Sequence, residues 1–192
     1  MPTSLRLLKH GAQLLRAQAT AFTPEEIKSP ATADLLSQMK TMMRETGGVG
    51  LAAPQVGVSK RLFVAEVEGD SAPALPFTCF FNPRIAVLPG RHPAENTSWE
   101  QCLSLPGIAG LVTRPGVVQV HFLDERARAR ALVARGWFAT LVQHEADHLD
   151  GRVYLHRLAS PHDWMYEEEL RALPRDRLCV GMSGDFEFVE AE

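Results

Sequence analysis

The residues best suited to chemistry in this 192-residue chain lie in Gln143-His144-Glu145-Ala146-Asp147-His148. The string reads H-E-x-x-H inside an apolar run (Trp137, Phe138, Leu141, Val142, Leu149) that has helical spacing. Helical positions four apart share one face, so His144 and His148 can aim two imidazoles at one ion. Glu145 projects beside them and is free to act as a base rather than a ligand. This combination points to metal-dependent hydrolysis. Two histidines do not complete such a centre, which needs three protein ligands and an open position. The third ligand decides the chemistry.

Three sources for it are compatible with the sequence. The extended pattern H-E-x-x-H-x-x-G-x-x-H has Gly151 in place, but its last position is Tyr154, and His156 stands two residues further on. A glutamate on a later helix is offered by Glu167, Glu168 and Glu169, with Glu168 the candidate ligand of a metallopeptidase; runs of Glu are more often a solvated helix face. Upstream, Cys102 lies within Trp99-Glu100-Gln101-Cys102-Leu103-Ser104-Leu105-Pro106-Gly107. A lone cysteine is commonly a small buried hydrophobe, and Cys79 and Cys179 are read that way. Cys102 differs because a second string, Gly48 to Gly57, accompanies it. The small residues of that string let backbone approach a ligand, and Gln55 adds one amide side chain. Taken alone, Gly48 to Ala53 also matches a G-x-G-x-x-A dinucleotide fingerprint. A helix rather than a strand precedes it, and no βαβ unit follows.

The elements that must hold these residues read as one α+β domain. A chain of 192 residues is long enough for a sizeable core without forcing a second domain. A 45% hydrophobic and 22% charged composition is that of a soluble globular protein. The net charge of -3 offers no basic face for DNA, and no apolar run approaches the ~20 residues of a membrane span. Met1 to Leu15 interleaves Arg6, Lys9 and His10 with apolar residues, which is unlike a secretory signal. Three cysteines without C-x-x-C spacing suit a reducing compartment, so a cytoplasmic location is expected.

Thr23-Pro24-Glu25-Glu26 has the form of a capped helix start, and a helix is predicted over Ala33 to Arg44. Strands are predicted over Arg61 to Val67, over Phe77 to Leu88 with a break at Pro83, and over Val117 to Leu123, with a weaker one at Ala131 to Ala134. The long helix spans Trp137 to Leu149, and Trp164 to Leu170 reads as helical. Residues 1–184 are taken as the domain and the acidic residues 185–192 as a loose tail.

Three strings, in order, resemble the motifs G-x-G-x-A-A-x-Q, E-G-C-x-S and H-E-x-D-H of the peptide deformylases. They are Gly48 to Gln55, Glu100 to Ser104, and His144 to His148. Leu7 to Gly11, Gly107 to Arg114 and Leu149 to Arg152 add to the likeness. H-E-x-x-H alone is common, but three motifs at compatible spacing are specific. The resemblance implies mixed and antiparallel strands around a central helix carrying H-E-x-x-H. It implies one divalent metal on Cys102, His144 and His148, natively Fe(II), with Zn, Ni or Co able to take the same ligands. The implied substrate is an N-formylated peptide beginning with methionine, and formate is released.

By the same resemblance Glu145 carries the proton, while the Gln55 side chain and the Leu103 backbone N–H stabilise the formyl oxygen. Val49, Leu141 and the stem of Glu145 would wall the methionine pocket, and Gly50, Gln101 and Gly107 would flank the peptide backbone. Glu100, Asp147 and Arg114 would stand behind the ligands. Gln101 departs from the small residue usual between Glu and Cys. Ala109 stands where some members carry an arginine near the substrate's far end. Asp185, Glu187, Glu190 and Glu192 stand where some bacterial relatives have a basic helix that contacts the ribosome. Monomer and homodimer are both compatible with the sequence.

Overall fold

The computed structural model of the chain describes residues 5–69, 73–89, 95–174 and 184–191. Thr23 accepts the Glu26 N–H at 3.2 Å while the Glu26 carboxylate accepts the Thr23 N–H at 2.7 Å, closing the capping box that starts α1 (Pro24–Ile27). Ser29 caps α2 (Pro30–Glu45), which begins earlier than expected because Pro30 suits a first helical position. The other helices are α3 (Trp137–Leu149) and the short α4 (Glu167–Ala172). The strands in chain order are β1 (Gly50–Ala52), β2 (Leu62–Val67), β3 (Leu75–Val87), β4 (Glu95–Cys102) and β5 (Leu105–Pro115). They continue with β6 (Val117–Leu123), β7 (Ala129–Arg135), β8 (Trp164–Tyr166) and β9 (Phe186–Val189).

Antiparallel pairing joins six strands in the order β1-β2-β3-β6-β7-β9 and three more in the order β4-β5-β8. Within the larger sheet β2 is buried on both faces. Leu62 and Val64 pack with Met39 and Met43 of α2, while Phe63, Ala65 and Val67 pack with Phe138 and Val142 of α3. Side chains alternate across a strand, so the continuous apolar run Leu62 to Ala65 serves two cores. The α+β expectation of strands around a central helix holds, with α3 lying between the larger sheet and β4.

Three expectations are corrected. Strand β3 runs through Pro83, because the register shifts between Phe81 and Arg84 and Asn82 takes φ 49 there. A bulge does not need the missing N–H of proline. The Asn82 amide ties that bulge to the Phe22 backbone, at 2.8 and 2.9 Å. Trp164 to Tyr166 is the strand β8 against Ile108 to Gly110, and only from Glu167 is the segment helical. Residues 186–189 are not a loose tail: β9 pairs with Ala131 to Ala134 of β7. Phe186 sits 4.8 Å from Phe138, and the Arg130 guanidinium lies 5.5 Å from the Phe188 ring, so two alternate aromatics anchor an otherwise acidic segment. Cys179, His92 and Glu192 lie outside the described residues.

Candidate metal centre and active site

Strand β4 docks on one face of α3 through three side-chain pairs. Asn96 donates to Thr140 at 2.8 Å, Glu100 meets His144 Nδ1 at 2.7 Å, and Cys102 Sγ lies 3.4 Å from His148 Nε2. Thr140, His144 and His148 are four apart, one above the next on the helix. The donor atoms of Cys102, His144 and His148 all lie within 4.8 Å of one another, and the three residues form the candidate ligand group found among the described residues. One soft sulfur and two imidazoles converging in a buried position fit a single divalent ion.

The rival ligands do not converge there. Glu168 is exposed on α4. Tyr154 fills the slot of the extended histidine pattern; it is fully buried, packs 6.1 Å from the His144 ring and donates to the Ile108 carbonyl. The exposed His156 uses its Nδ1 to accept the Val153 N–H.

Behind the ligands runs a chain of charges. Arg114 holds Glu100 through Nε at 2.6 Å and Nη2 at 3.0 Å, and holds Asp147 through Nη1 at 2.8 Å. Arg157 grips the far side of Asp147 at 2.5 and 3.2 Å. Burial pushes the Glu100 carboxyl up, but His144 and Arg114 outweigh it and hold it below the usual carboxylate range. A carboxylate on His144 Nδ1 orients the ring and leaves Nε2 for an ion.

Glu145 is the opposite case. It is 4% exposed, its Oε2 has no hydrogen-bond partner among the described residues, and burial pushes the carboxyl up to about 7. Its place is set by β1, where a Cβ at Gly50 would come within 2.8 Å of the Glu145 Cδ. Only glycine leaves room for that carboxylate.

Gln55 sits in the helical turn Ala53–Val56 and is 2% exposed. Its Oε1 accepts the Ala52 N–H at 2.8 Å, and its Nε2 faces Ser104 Oγ at 3.2 Å and Cys102 Sγ at 3.5 Å. The amide orientation is therefore fixed, with the NH₂ toward the sulfur. The N-terminal lead-in joins the motifs: the Leu8 N–H donates to the Gln55 carbonyl and the His10 N–H to the Ser104 carbonyl. Lys9 holds the Leu103 carbonyl at 3.0 Å in the turn between β4 and β5.

A cleft of about 670 Å³ opens over this group. Val49, Gly50, Gln55, Gln101, Leu103, Gly107, Leu141 and Glu145 all line it, together with Glu100, Cys102 and His144. His148 is fully buried beneath, and Arg114 and Asp147 are buried at 3% and 5% exposure behind the ligands. Gln101 is exposed and occupies the register shift between Glu100 and Cys102, a bulge that presents it to the cleft. Ala109 is fully buried opposite Met165. Sequence reading missed Trp99 and Trp137 as cleft walls, Asn96 and Thr140 as a docking pair, and Arg157. Only Trp99 lay in a motif string; nothing in the sequence marked Arg157.

Fold and site together define a class: an α+β protein carrying the donor set of a metal-dependent hydrolase. The polypeptide deformylase family profile matches residues 4–164. A peptide deformylase of Leptospira biflexa is 36% identical over 170 residues, covering 86% of this chain and 93% of its own length. Peptide deformylase 2 of Xanthomonas campestris is 36% identical over 170 residues, 88% of this chain and 95% of that one. Among solved structures, a peptide deformylase from Synechococcus elongatus in complex with actinonin superposes with TM-score 0.73 at 34% identity, covering 85% of this chain and 84% of that chain. The Met-Ala-Ser-bound class I type b peptide deformylase from Acinetobacter baumannii gives TM-score 0.73 at 31% identity, covering 82% and 100%. The chain belongs to the polypeptide deformylase family, metal-dependent hydrolases that remove N-terminal formyl groups from nascent peptides.

Proposed function

We propose that this chain deformylates formylmethionyl peptides in the cytoplasm, with Cys102, His144 and His148 holding one divalent cation, Fe(II) natively. The observation that carries this reading is the approach of the Cys102 thiol to both α3 histidines, beside Glu145 and the Gln55 amide. When bound, the cation would supply Lewis-acid polarisation and lower the pKa of water. Zn, Ni or Co suit the same donors.

Glu145 takes a proton from the attacking water and delivers it to the departing amine nitrogen, so the formyl C–N bond breaks without expelling an amide anion. Its partner-free Oε2 supports that role. Gln55 Nε2–H and the Leu103 N–H donate to the formyl oxygen as negative charge develops; one such donor is worth about 2.7–4 kcal/mol in the transition state. Val49, Leu141 and the stem of Glu145 wall the methionine side chain. The peptide backbone lies between β1, the outer strand of one sheet, and β4, the outer strand of the other; both strands line the cleft. Two strand edges facing one cleft, neither paired with a further strand among the described residues, suit an extended chain. Gly107 keeps the β5 side open, and Gln101 flanks the backbone from the bulge.

The test is formate release from formyl-Met-Ala-Ser, anaerobically because thiolate and Fe(II) both oxidise. Wild type is expected to turn over. Glu145→Ala should keep its metal and lose at least about 10²-fold in kcat, and Cys102→Ala should lose its metal. Full metal retention by Cys102→Ala, or unchanged turnover by Glu145→Ala, refutes the assignment.

A further inference from the structure

A second groove, of about 570 Å³, opens beside the cleft, and Ile108 lines both. Trp164 and Tyr166 form one wall, at 43% and 58% exposure with rings 5.8 Å apart, and Leu155, Leu158 and Pro161 form the other. No charged side chain lines it among the described residues. Two adjacent aromatics left in water beside an apolar floor are unusual unless something covers them.

The two spaces are built on one piece of sheet. Ile108 of β5 pairs directly with Tyr166 of β8, and the next residue, Glu167, already lines the cleft. We infer that this aromatic groove extends the substrate site and takes an apolar side chain of the formylated polypeptide, a few residues after its formylmethionine. The inference rests on the reading that the peptide lies in the cleft. A nascent chain must leave that cleft, and an extended chain advances about 3.3 Å per residue, so few residues separate cleft from groove. A neutral wall of aromatic and aliphatic groups selects leucine-like side chains and rejects carboxylates, which would be desolvated without a partner.

The test uses formyl-Met hexapeptides in which one leucine, or one aspartate, is moved through positions three to six. At one position leucine should lower KM about tenfold relative to aspartate with kcat little changed, the scale of one apolar group in a pocket. Trp164→Ser should bring that ratio close to one, and Trp164→Phe should keep it. A ratio near one at every position overturns the inference, and so does a leucine preference that survives Trp164→Ser in a folded variant. Loss of self-association in Trp164→Ser with the preference intact overturns it too, in favour of a face between copies. Failure of wild type to release formate from formyl-Met-Ala-Ser would fall on the deformylase assignment instead. Calorimetric binding of the unformylated hexapeptides then decides the groove separately, by the same leucine-to-aspartate ratio.

Discussion

Arg114→Met cuts the buried charge chain at its centre. The Arg114 side chain is 3% exposed, and those of its partners Glu100 and Asp147 are 4% and 6% exposed. Removing one partner of a buried ion pair costs about 3–5 kcal/mol, because the charge left behind is neither hydrated nor compensated. Two carboxylates lose their cation here, yet each keeps another contact: Glu100 with His144 at 2.7 Å, and Asp147 with Arg157 at 2.5 Å. The expected loss is therefore at the low end, about 3 kcal/mol. That is a large share of the roughly 5–15 kcal/mol holding a domain folded. Urea unfolding at neutral pH should give a lower midpoint with the m-value unchanged. Adding Glu100→Gln and Asp147→Asn should recover part of the loss, since no charge is then stranded. Arg44→Ala is the control: its pair with Glu66 is solvated, and such pairs contribute little. A midpoint shift for Arg114→Met no larger than that of Arg44→Ala would refute the reasoning.

Gly50→Ala drives a methyl toward the Glu145 carboxylate; kcat for formate release should fall about 10²-fold while bound metal is kept, and unchanged kcat would mean that Glu145 is not held there. Asp124 closes the β6–β7 turn by accepting the Arg126 and Arg128 N–H groups at 2.9 Å and the Arg128 side chain at 2.8 Å. Burial pushes its carboxyl up, but these bonds outweigh burial and hold it below the usual range. The stabilisation is then complete above the unfolded-state value of about 3.9 and is lost as pH falls through the lower folded value. The gap in urea midpoint between wild type and Asp124→Asn should thus be full at neutral pH and close in strong acid; a pH-independent gap contradicts it. Burial pushes the Cys79 thiol up to about 12, so iodoacetamide at pH 8 should label Cys79 only after unfolding, as read by peptide mass spectrometry.

How far the fold could be read in advance depended on what each strand buries. Strands β2 and β6 carry runs of Val, Leu and Phe, and their inward positions are apolar, so pattern and structure agree. Helix α3 was equally plain, with Phe138, Leu141, Val142 and Leu149 on the core side. Strand β9 was obscured by its acids, although Phe186 and Phe188 alternate as a half-buried strand requires. The β8 segment misled because Trp164-Met165-Tyr166 runs straight into the helix-forming Glu167-Glu168-Glu169 without a break.

Strands β4 and β5 were not anticipated at all, and the reason is chemical. The buried residues of β4 are Asn96, Glu100 and, beyond the bulge, Cys102, at 6%, 5% and 8% exposure, with the part-buried Ser98 between the first two on the same face. A strand that buries an amide, a carboxylate and a thiol has no hydrophobic alternation to detect. Its stability in that place comes from partners on α3 and β5: Thr140, His144, His148 and Arg114. Strand β5 hides its own pattern behind Pro106, Gly107 and Gly110, the last of which leaves room for the Tyr154 ring. Motif spacing recovered the residues that periodicity lost, because Glu100 and Cys102 sit in a recognisable string. It could not recover Arg157, which reaches Asp147 from a turn ten residues on and belongs to no string. Local pattern and tertiary role conflict most sharply where the inward face of β4 carries polar groups in place of a core. Such conflicts concentrate at functional sites, so the stretch where strand prediction failed is itself a pointer to the candidate centre.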